Sequence, residues 1–222
     1  MLDAVVLLSG GMDSLVTLAE ARTRFQKIGV LHLGYGQKTA ARELAAFHAI
    51  ADHYGLPPEH RKLIDVGFLR DIGGSALTDD SIGVSAYAGD SAAIPTSYVP
   101  FRNSIILSLA TAWAETTHAR HLFVGANWED SPGYPDCRPA YYAAFNELVR
   151  QGTKDGNIHV ETPVILMKKK EIVLRGVELK VPFEKSWSCY ARSDLACGKC
   201  DSCALRLRGF REAGIADPLP YA

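Results

Sequence analysis

The sequence predicts a doubly wound α/β protein, a parallel five-stranded sheet covered by helices on both faces, with a small metal-binding segment at the C-terminus. Three observations lead there. Short β-branched apolar runs alternate with longer amphipathic stretches, the first run ends in a Ser-Gly-Gly turn, and four cysteines gather near the end of the chain. At 222 residues, 47% hydrophobic and 22% charged, the chain is long enough for one ordinary domain with a substantial core. That composition excludes disorder as the dominant state.

The elements follow in order. Residues 4–8 form a short apolar run closed by Ser9, Gly10 and Gly11, which reads as a buried strand. Over 13–24, Leu15, Leu18, Ala19 and Arg22 fall at helical spacing. Residues 28–33 make a second strand closed by Gly34, Tyr35 and Gly36. The stretch 39–54 puts Leu44, Phe47 and Ala51 on one helical face and stops at Gly55, with Pro57 and Pro58 beyond. A third strand is expected at 63–66. Residues 67–97 are rich in Gly, Ser, Ala and Asp and read as a long loop of the functional kind. A strongly apolar helix at 105–118, a strand at 122–126, a helix at 141–150, a strand at 158–162 and a helix at 169–179 complete the alternation. From Ser186 onward the chain turns charged and cysteine-bearing, with no clear period. The expected division is a main α/β domain over 1–185 and a zinc-binding segment over 186–222.

Charge narrows the function classes. Twenty-four basic residues against twenty-five acidic ones give a formal charge of −1, so the basic excess of a phosphate-backbone binder is missing and no nucleic-acid partner is expected. No apolar run approaches the ~20 residues of a membrane helix. Residues 1–9 lack a basic region leading into a cleavable apolar stretch. The expected location is the cytoplasm, where reduced thiols in a cluster point to a metal before disulfides.

Ser9-Gly10-Gly11-Met12-Asp13-Ser14 carries the chemistry. It joins the first strand to the first helix, where α/β sheets place phosphates. Two glycines let backbone N–H groups approach an anion, and Ser9 and Ser14 add hydroxyl donors. The pattern is neither the Walker loop nor the dinucleotide fingerprint. A plain capped helix start would use the same residue types. Asp13 argues for more, because a carboxylate beside a phosphate cradle is unfavourable unless a cation such as Mg²⁺ joins them.

Cys189, Cys197, Cys200 and Cys203 form a C-x7-C-x2-C-x2-C array. Four thiolates fit tetrahedral Zn²⁺ in a closed, structural shell that would supply folding energy to a small tail. Lys199, Arg192, Arg206 and Arg208 are near enough in sequence to offset its negative charge. An iron–sulfur cluster is the competing reading, although its usual Cys-Pro is absent. Cys137 stands apart, as a buried thiol in a turn or a nucleophile for which the sequence offers no base.

The loop hexapeptide resembles the signature of the ATP pyrophosphatase superfamily, and the whole chain resembles its 7-cyano-7-deazaguanine synthase family. The likeness rests on residues 8–14; Tyr35-Gly36-Gln37; Val99-Pro100-Phe101-Arg102-Asn103; Gly133-Tyr134-Pro135-Asp136-Cys137-Arg138; Thr162-Pro163; Trp187-Ser188-Cys189-Tyr190; the later cysteines; Gly209-Phe210; and Asp217-Pro218-Leu219-Pro220-Tyr221. Met12 and Phe101 depart from a common Gln and a small residue; Met12 leaves the backbone cradle intact, while Phe101 is large enough that it could reshape the substrate pocket slightly.

The resemblance implies that Leu8, Ser9, Gly10, Gly11, Met12, Asp13, Ser14, Leu15, Val16, Thr17 and Leu18 bind ATP, and that the four late cysteines hold zinc. It implies that 7-carboxy-7-deazaguanine, ammonium and ATP yield the nitrile in a homodimeric enzyme. The chemistry is intelligible without a protein nucleophile. Capture of AMP turns a carboxylate oxygen into a leaving group, ammonia displaces it to give an amide, and a second adenylation removes the remaining oxygen. Asp13, Ser14, Arg102 and Lys169 are the expected catalytic residues. Arg102 and Asn103 begin a helix after Pro100, suited to phosphate or carboxylate, with surface capping as the alternative. Asp136 and Arg138 lie in a turn-rich loop where Asp136 can accept from a guanine-like edge and Tyr134 can stack, or the loop is simply a turn. Lys169 can reach pyrophosphate, or the run Lys168-Lys169-Lys170 is a solvated helix start. Competing functions are a sister enzyme acting on another carboxylate or on tRNA, and a non-enzymatic nucleotide-sensing or zinc-dependent interaction module.

Overall fold

The computed structural model describes residues 1–84, 86–87, 89, 94–128 and 134–222. Part of the 67–97 loop, and Asp130, Ser131, Pro132 and Gly133 of the turn-rich segment, lie outside the described residues. Five strands, β1 (Ala4–Leu7), β2 (Ile28–Gly34), β3 (Arg61–Asp65), β4 (His121–Val124) and β5 (His159–Glu161), form one sheet in the order β3-β2-β1-β4-β5. Every pairing is parallel, with Leu7 opposite both Leu31 and Val124. β1 is buried along its whole length because helices cover both faces, which is why its sequence is a continuous apolar run. β3 lies at one edge and is only partly buried.

Among the described residues seven α-helices pack around the sheet: α1 (Met12–Arg24), α2 (Ala40–His53), α3 (Leu69–Ile72), α4 (Arg102–Thr117), α5 (Pro139–Gly152), α6 (Lys169–Glu178) and α7 (Asp201–Ala213). Successive residues of β1 point to opposite faces. Val5 and Leu7 join Leu31, Leu33, Leu107, Ala110, Tyr142 and Phe145 beneath α4 and α5. Ala4, Val6 and Leu8 join Leu15, Leu18, Phe47, Ile50, Ile172, Val173 and Phe210 beneath α1, α2, α6 and α7. Because β2 lies on one side of β1 and β4 on the other, the chain departs in opposite directions at the sheet centre. A crevice therefore opens beyond the carboxyl end of β1.

Three expectations are corrected. The C-terminal segment contains a 13-residue helix, α7. Its buried stripe is Cys203, Leu205, Arg206, Gly209 and Phe210, so the helical period is present but is written in letters that an apolar pattern does not count. The 67–97 loop carries the single-turn helix α3. The helix expected at 105–118 starts three residues earlier, at Arg102, after Phe101 in a left-handed conformation (φ 55°).

Gly209 lets α7 lie against the start of α6, since a Cβ there would stand 2.8–3.1 Å from atoms of Lys169. Arg206, 1% exposed, anchors the C-terminal segment from inside. Its guanidinium donates to both Asp217 oxygens at 2.8 and 2.9 Å and to Ser186 Oγ at 2.7 Å, and Tyr221 Oη donates to Asp217 at 2.6 Å. Among the described residues no helix is long and apolar enough to cross a membrane.

Candidate active site and cysteine centre

The crevice holds a cavity of about 270 Å³. Its floor is the turn after β1. Gly11 N donates to Ser9 Oγ at 3.2 Å, Ser14 Oγ donates to the Gly11 carbonyl at 3.0 Å, and the two serine hydroxyls meet at 3.1 Å. The loop is thus shaped by its own hydroxyls, and the first N–H groups of α1, which belong to residues lining the crevice, lack intrahelical partners. Gly10 adopts φ +92°, where a Cβ would lie 2.7 Å from the Glu43 carbonyl oxygen of α2. Gly125 follows β4, and a Cβ there would stand 2.7 Å from Ser14 N. Both glycines allow neighbouring backbone to close around the turn.

Lys169 is the first residue of α6 and is 4% exposed, while Lys168 and Lys170 on either side are exposed. Its ammonium donates to Asp13 Oδ2 at 2.6 Å. Asp13 Oδ1 is buried without a hydrogen-bond partner. An orphaned carboxylate oxygen at the mouth of a phosphate-type loop matches the donor a hard divalent cation takes.

The opposite wall comes from α4 and the segment before α5. Arg102 Nη1 donates to Tyr35 Oη at 3.0 Å, and the guanidinium lies over the Tyr35 ring at 5.0 Å from its centroid. Burial pushes the Tyr35 hydroxyl up to about 12. Asn103 Nδ2 donates to the Asp136 carbonyl at 3.3 Å and approaches Cys137 Sγ at 3.6 Å. Tyr134 hydrogen-bonds Ser97 and packs at 5.7 Å from the Tyr98 ring. Burial pushes Tyr134 up to about 12 as well.

The residues singled out in the sequence are thus distributed unevenly. Leu8, Ser9, Gly11, Met12, Asp13, Ser14, Arg102, Asn103 and Tyr134 line the cavity. Leu15, Val16, Thr17 and Leu18 are buried within α1 and outside the lining. Asp136 is 5% exposed and also outside it; burial raises its carboxyl, and Arg102 opposes that rise. Arg138 is exposed at the start of α5, away from the lining.

Side chains not assigned a role from the sequence complete the walls: His32, Tyr35, Glu43, Asn127, Trp187 and Tyr190. Glu43 is held by Gln37 Nε2 at 2.9 Å and Thr39 Oγ1 at 2.6 Å. Tyr35, Gln37, Trp187 and Tyr190 sit inside quoted motifs, so their signal was present; His32 and Glu43 had none. Burial lowers the His32 imidazole, whose Nδ1 lies 3.2 Å from the Leu8 carbonyl.

Trp187 links the cavity to the cysteines. Its N–H donates to the Gly10 carbonyl at 2.8 Å and its indole to the Cys189 carbonyl at 3.2 Å. The sulfurs of Cys189, Cys197, Cys200 and Cys203 all lie within 4.8 Å of one another. A tetrahedral thiolate centre with bonds of about 2.3 Å needs sulfurs about 3.8 Å apart; Cys197 and Cys203 stand at 3.9 Å. Backbone N–H groups of Ala191 and Cys197 point to Cys189 Sγ, and those of Lys199 and Cys200 to Cys197 Sγ, at 3.3–3.4 Å. Such donors favour thiolates. Hydrogen bonds from Cys200 and Cys203 draw Cys189 far down while Cys200 and Cys203 are pushed up, the conflict a bound cation relieves. The cluster can hold a metal ion. Arg206 is paired with Asp217; Arg192 is paired with Asp194 and also interacts electrostatically with Cys189 and Cys197.

An all-parallel sheet in the order β3-β2-β1-β4-β5, with this turn at its central strand, defines a doubly wound α/β protein. In fold the chain is similar to the U34-tRNA thiolase NcsA from Methanococcus maripaludis with its [4Fe-4S] cluster (TM-score 0.51, 16% identity, 86% of this chain and 60% of that one). It is likewise similar to a predicted subunit of a tRNA methyltransferase from Methanocaldococcus jannaschii (TM-score 0.50, 15% identity, 100% of this chain and 93% of that one). The chain belongs to the queuosine biosynthesis protein QueC family, whose model matches residues 3–214. It is 55% identical to the 7-cyano-7-deazaguanine synthase of Chloroherpeton thalassium, over 98% of this chain and 96% of that protein. It is 53% identical to the synthase of the same name from Koribacter versatilis, over 99% and 93%.

Proposed function

We propose that the protein is an ATP-dependent ligase converting 7-carboxy-7-deazaguanine and ammonium to 7-cyano-7-deazaguanine, with two ATP yielding two AMP and two pyrophosphate. The family membership supports the product. The observation that carries the mechanism is the buried Lys169–Asp13 pair at the mouth of a glycine turn. The loop N–H groups and Lys169 bind the β,γ end of ATP, and Arg102 draws the acid's carboxylate toward the α-phosphate. That oxygen attacks, pyrophosphate leaves, ammonia displaces AMP, and the amide oxygen repeats the capture so that a second loss of AMP leaves the nitrile. The walls position these groups and exclude water, and no protein nucleophile is required. Asp13 Oδ1 would hold Mg²⁺, which would supply charge neutralisation to the phosphates. Ser14, Asn103 and Tyr134 complete the contacts.

The four cysteines hold Zn²⁺ as a closed structural centre. The working assembly is a homodimer, and its reduced thiols fit the cytoplasm. The test is mass spectrometry with nucleotide analysis of a mixture of protein, Mg²⁺, ATP, ammonium and 7-carboxy-7-deazaguanine. The nitrile with AMP and pyrophosphate is expected; ATP consumed only to ADP, or not at all, overturns the reading.

A further inference from the structure

Tyr142 belongs to the wall formed by α4 and α5. It lines the cavity beside Asn103, Ile106 and Cys137, is 4% exposed, and its hydroxyl is buried without a hydrogen-bond partner. Tyr141, next to it and edge-on at 5.1 Å, is satisfied: its hydroxyl lies 2.8 Å from Ser104 Oγ. A phenylalanine would fill the Tyr142 site without the desolvation cost of an unpaired hydroxyl. Among the described cavity-lining residues only one other side-chain oxygen is orphaned in this way, Asp13 Oδ1, which already has a task.

We propose that Tyr142 is a substrate-binding residue whose hydroxyl donates a hydrogen bond to an oxygen of the acid's carboxyl group. The assignment rests on the ligase reading above and extends it to a position that the sequence did not single out. Three features select an acceptor oxygen. Burial, then the acidic neighbours Cys137, Tyr141 and Asp136, hold the hydroxyl far above its ordinary ionisation range, so it remains a neutral donor. Arg102 lines the same cavity and supplies the positive charge that a carboxylate pairs with. The Asn103 amide is already engaged with the Asp136 carbonyl and Cys137 Sγ, whereas the Tyr142 O–H beside it has no partner.

The test is Tyr142→Phe in the full chain, with binding and steady-state kinetics. The ligand-free variant should melt at or above the wild-type temperature, because an orphaned hydroxyl is gone. Its KM for 7-carboxy-7-deazaguanine should rise roughly tenfold, as for loss of a hydrogen bond to a charged group, with the KM for ATP unchanged. The parent 7-deazaguanine, which lacks the carboxyl, should bind variant and wild type equally by calorimetry. An unchanged KM for the acid, or equal weakening of the acid and the parent base, overturns the assignment while wild-type nitrile formation keeps the ligase reading intact. Wild type that makes no nitrile overturns the ligase reading itself.

Discussion

Lys169 shows how one residue acquires meaning from its position. Three consecutive lysines read equally well as a solvated helix start, and two of them are just that. The third is buried against Asp13 from the other end of the chain, 156 residues away. Reading Asp13 as an isolated loop carboxylate would make Asp13→Asn silent for stability. The ion pair makes it costly, because removing one partner strands the other charge in a site where Lys169 is 5% and Asp13 17% exposed. Asp13→Asn should therefore lower stability by about 3 kcal/mol in urea unfolding and abolish AMP release. The double variant Asp13→Asn/Lys169→Met should regain most of that stability and none of the activity. Wild-type turnover in the single variant would remove Asp13 from the mechanism.

At the scale of elements, the turn between β1 and α1 was legible because its letters are constrained by backbone geometry. The two glycines nonetheless do different work. Gly10 has a positive φ and stands against the backbone of α2, whereas Gly11, at φ −78° and ψ 165°, suits any residue, with Ser9 Oγ the nearest atom to an added Cβ at 3.3 Å. Gly10→Ala should cost about 2 kcal/mol or more, measured by thermal or denaturant unfolding. Gly11→Ala should fold with stability within about 0.5 kcal/mol of wild type. Its methyl group would face the approaching phosphates, so its KM for ATP should rise roughly tenfold. Equal effects at the two positions would refute this division. Strands β1, β2 and β4 were legible from their apolar runs. Helix α7 was not, because beside Leu205 and Phe210 its inward stripe carries Cys203, Arg206 and Gly209, each buried for a different reason: a thiol in the cysteine cluster, an ion pair with Asp217, and close approach to Lys169.

Across the whole molecule, the cysteine centre and the glycine turn after β1 are mechanically joined. Trp187 bonds Gly10 on one side and Cys189 on the other, and Ala46 of α2 packs in the same cluster as the cysteines. Loss of the metal should therefore reach the active site. Cys200→Ser, or chelation of the wild type, should lower the metal content below one ion per chain, reduce the melting temperature, and weaken ATP binding as Trp187 fluorescence changes. Metal loss with unaltered melting and ATP affinity would show that the centre is not structural. Sedimentation equilibrium tests the assembly: a dimer is expected, and a monomer at micromolar concentration would overturn it.

The sequence by itself determined the strand and helix alternation, the glycine turn after β1 and the four-cysteine set, because each depends on local spacing that a linear reading preserves. It also placed Arg102, Asn103 and Tyr134 in segments that reach the cavity. Only the tertiary structure decided which of three lysines meets Asp13, that Asp136 and Arg138 stay outside the cavity lining, and that Tyr142 carries an unsatisfied hydroxyl within it. Those outcomes depend on which distant side chains share a volume and on which polar atoms lose water. Both are set by packing between elements and leave no trace in the local order of residues.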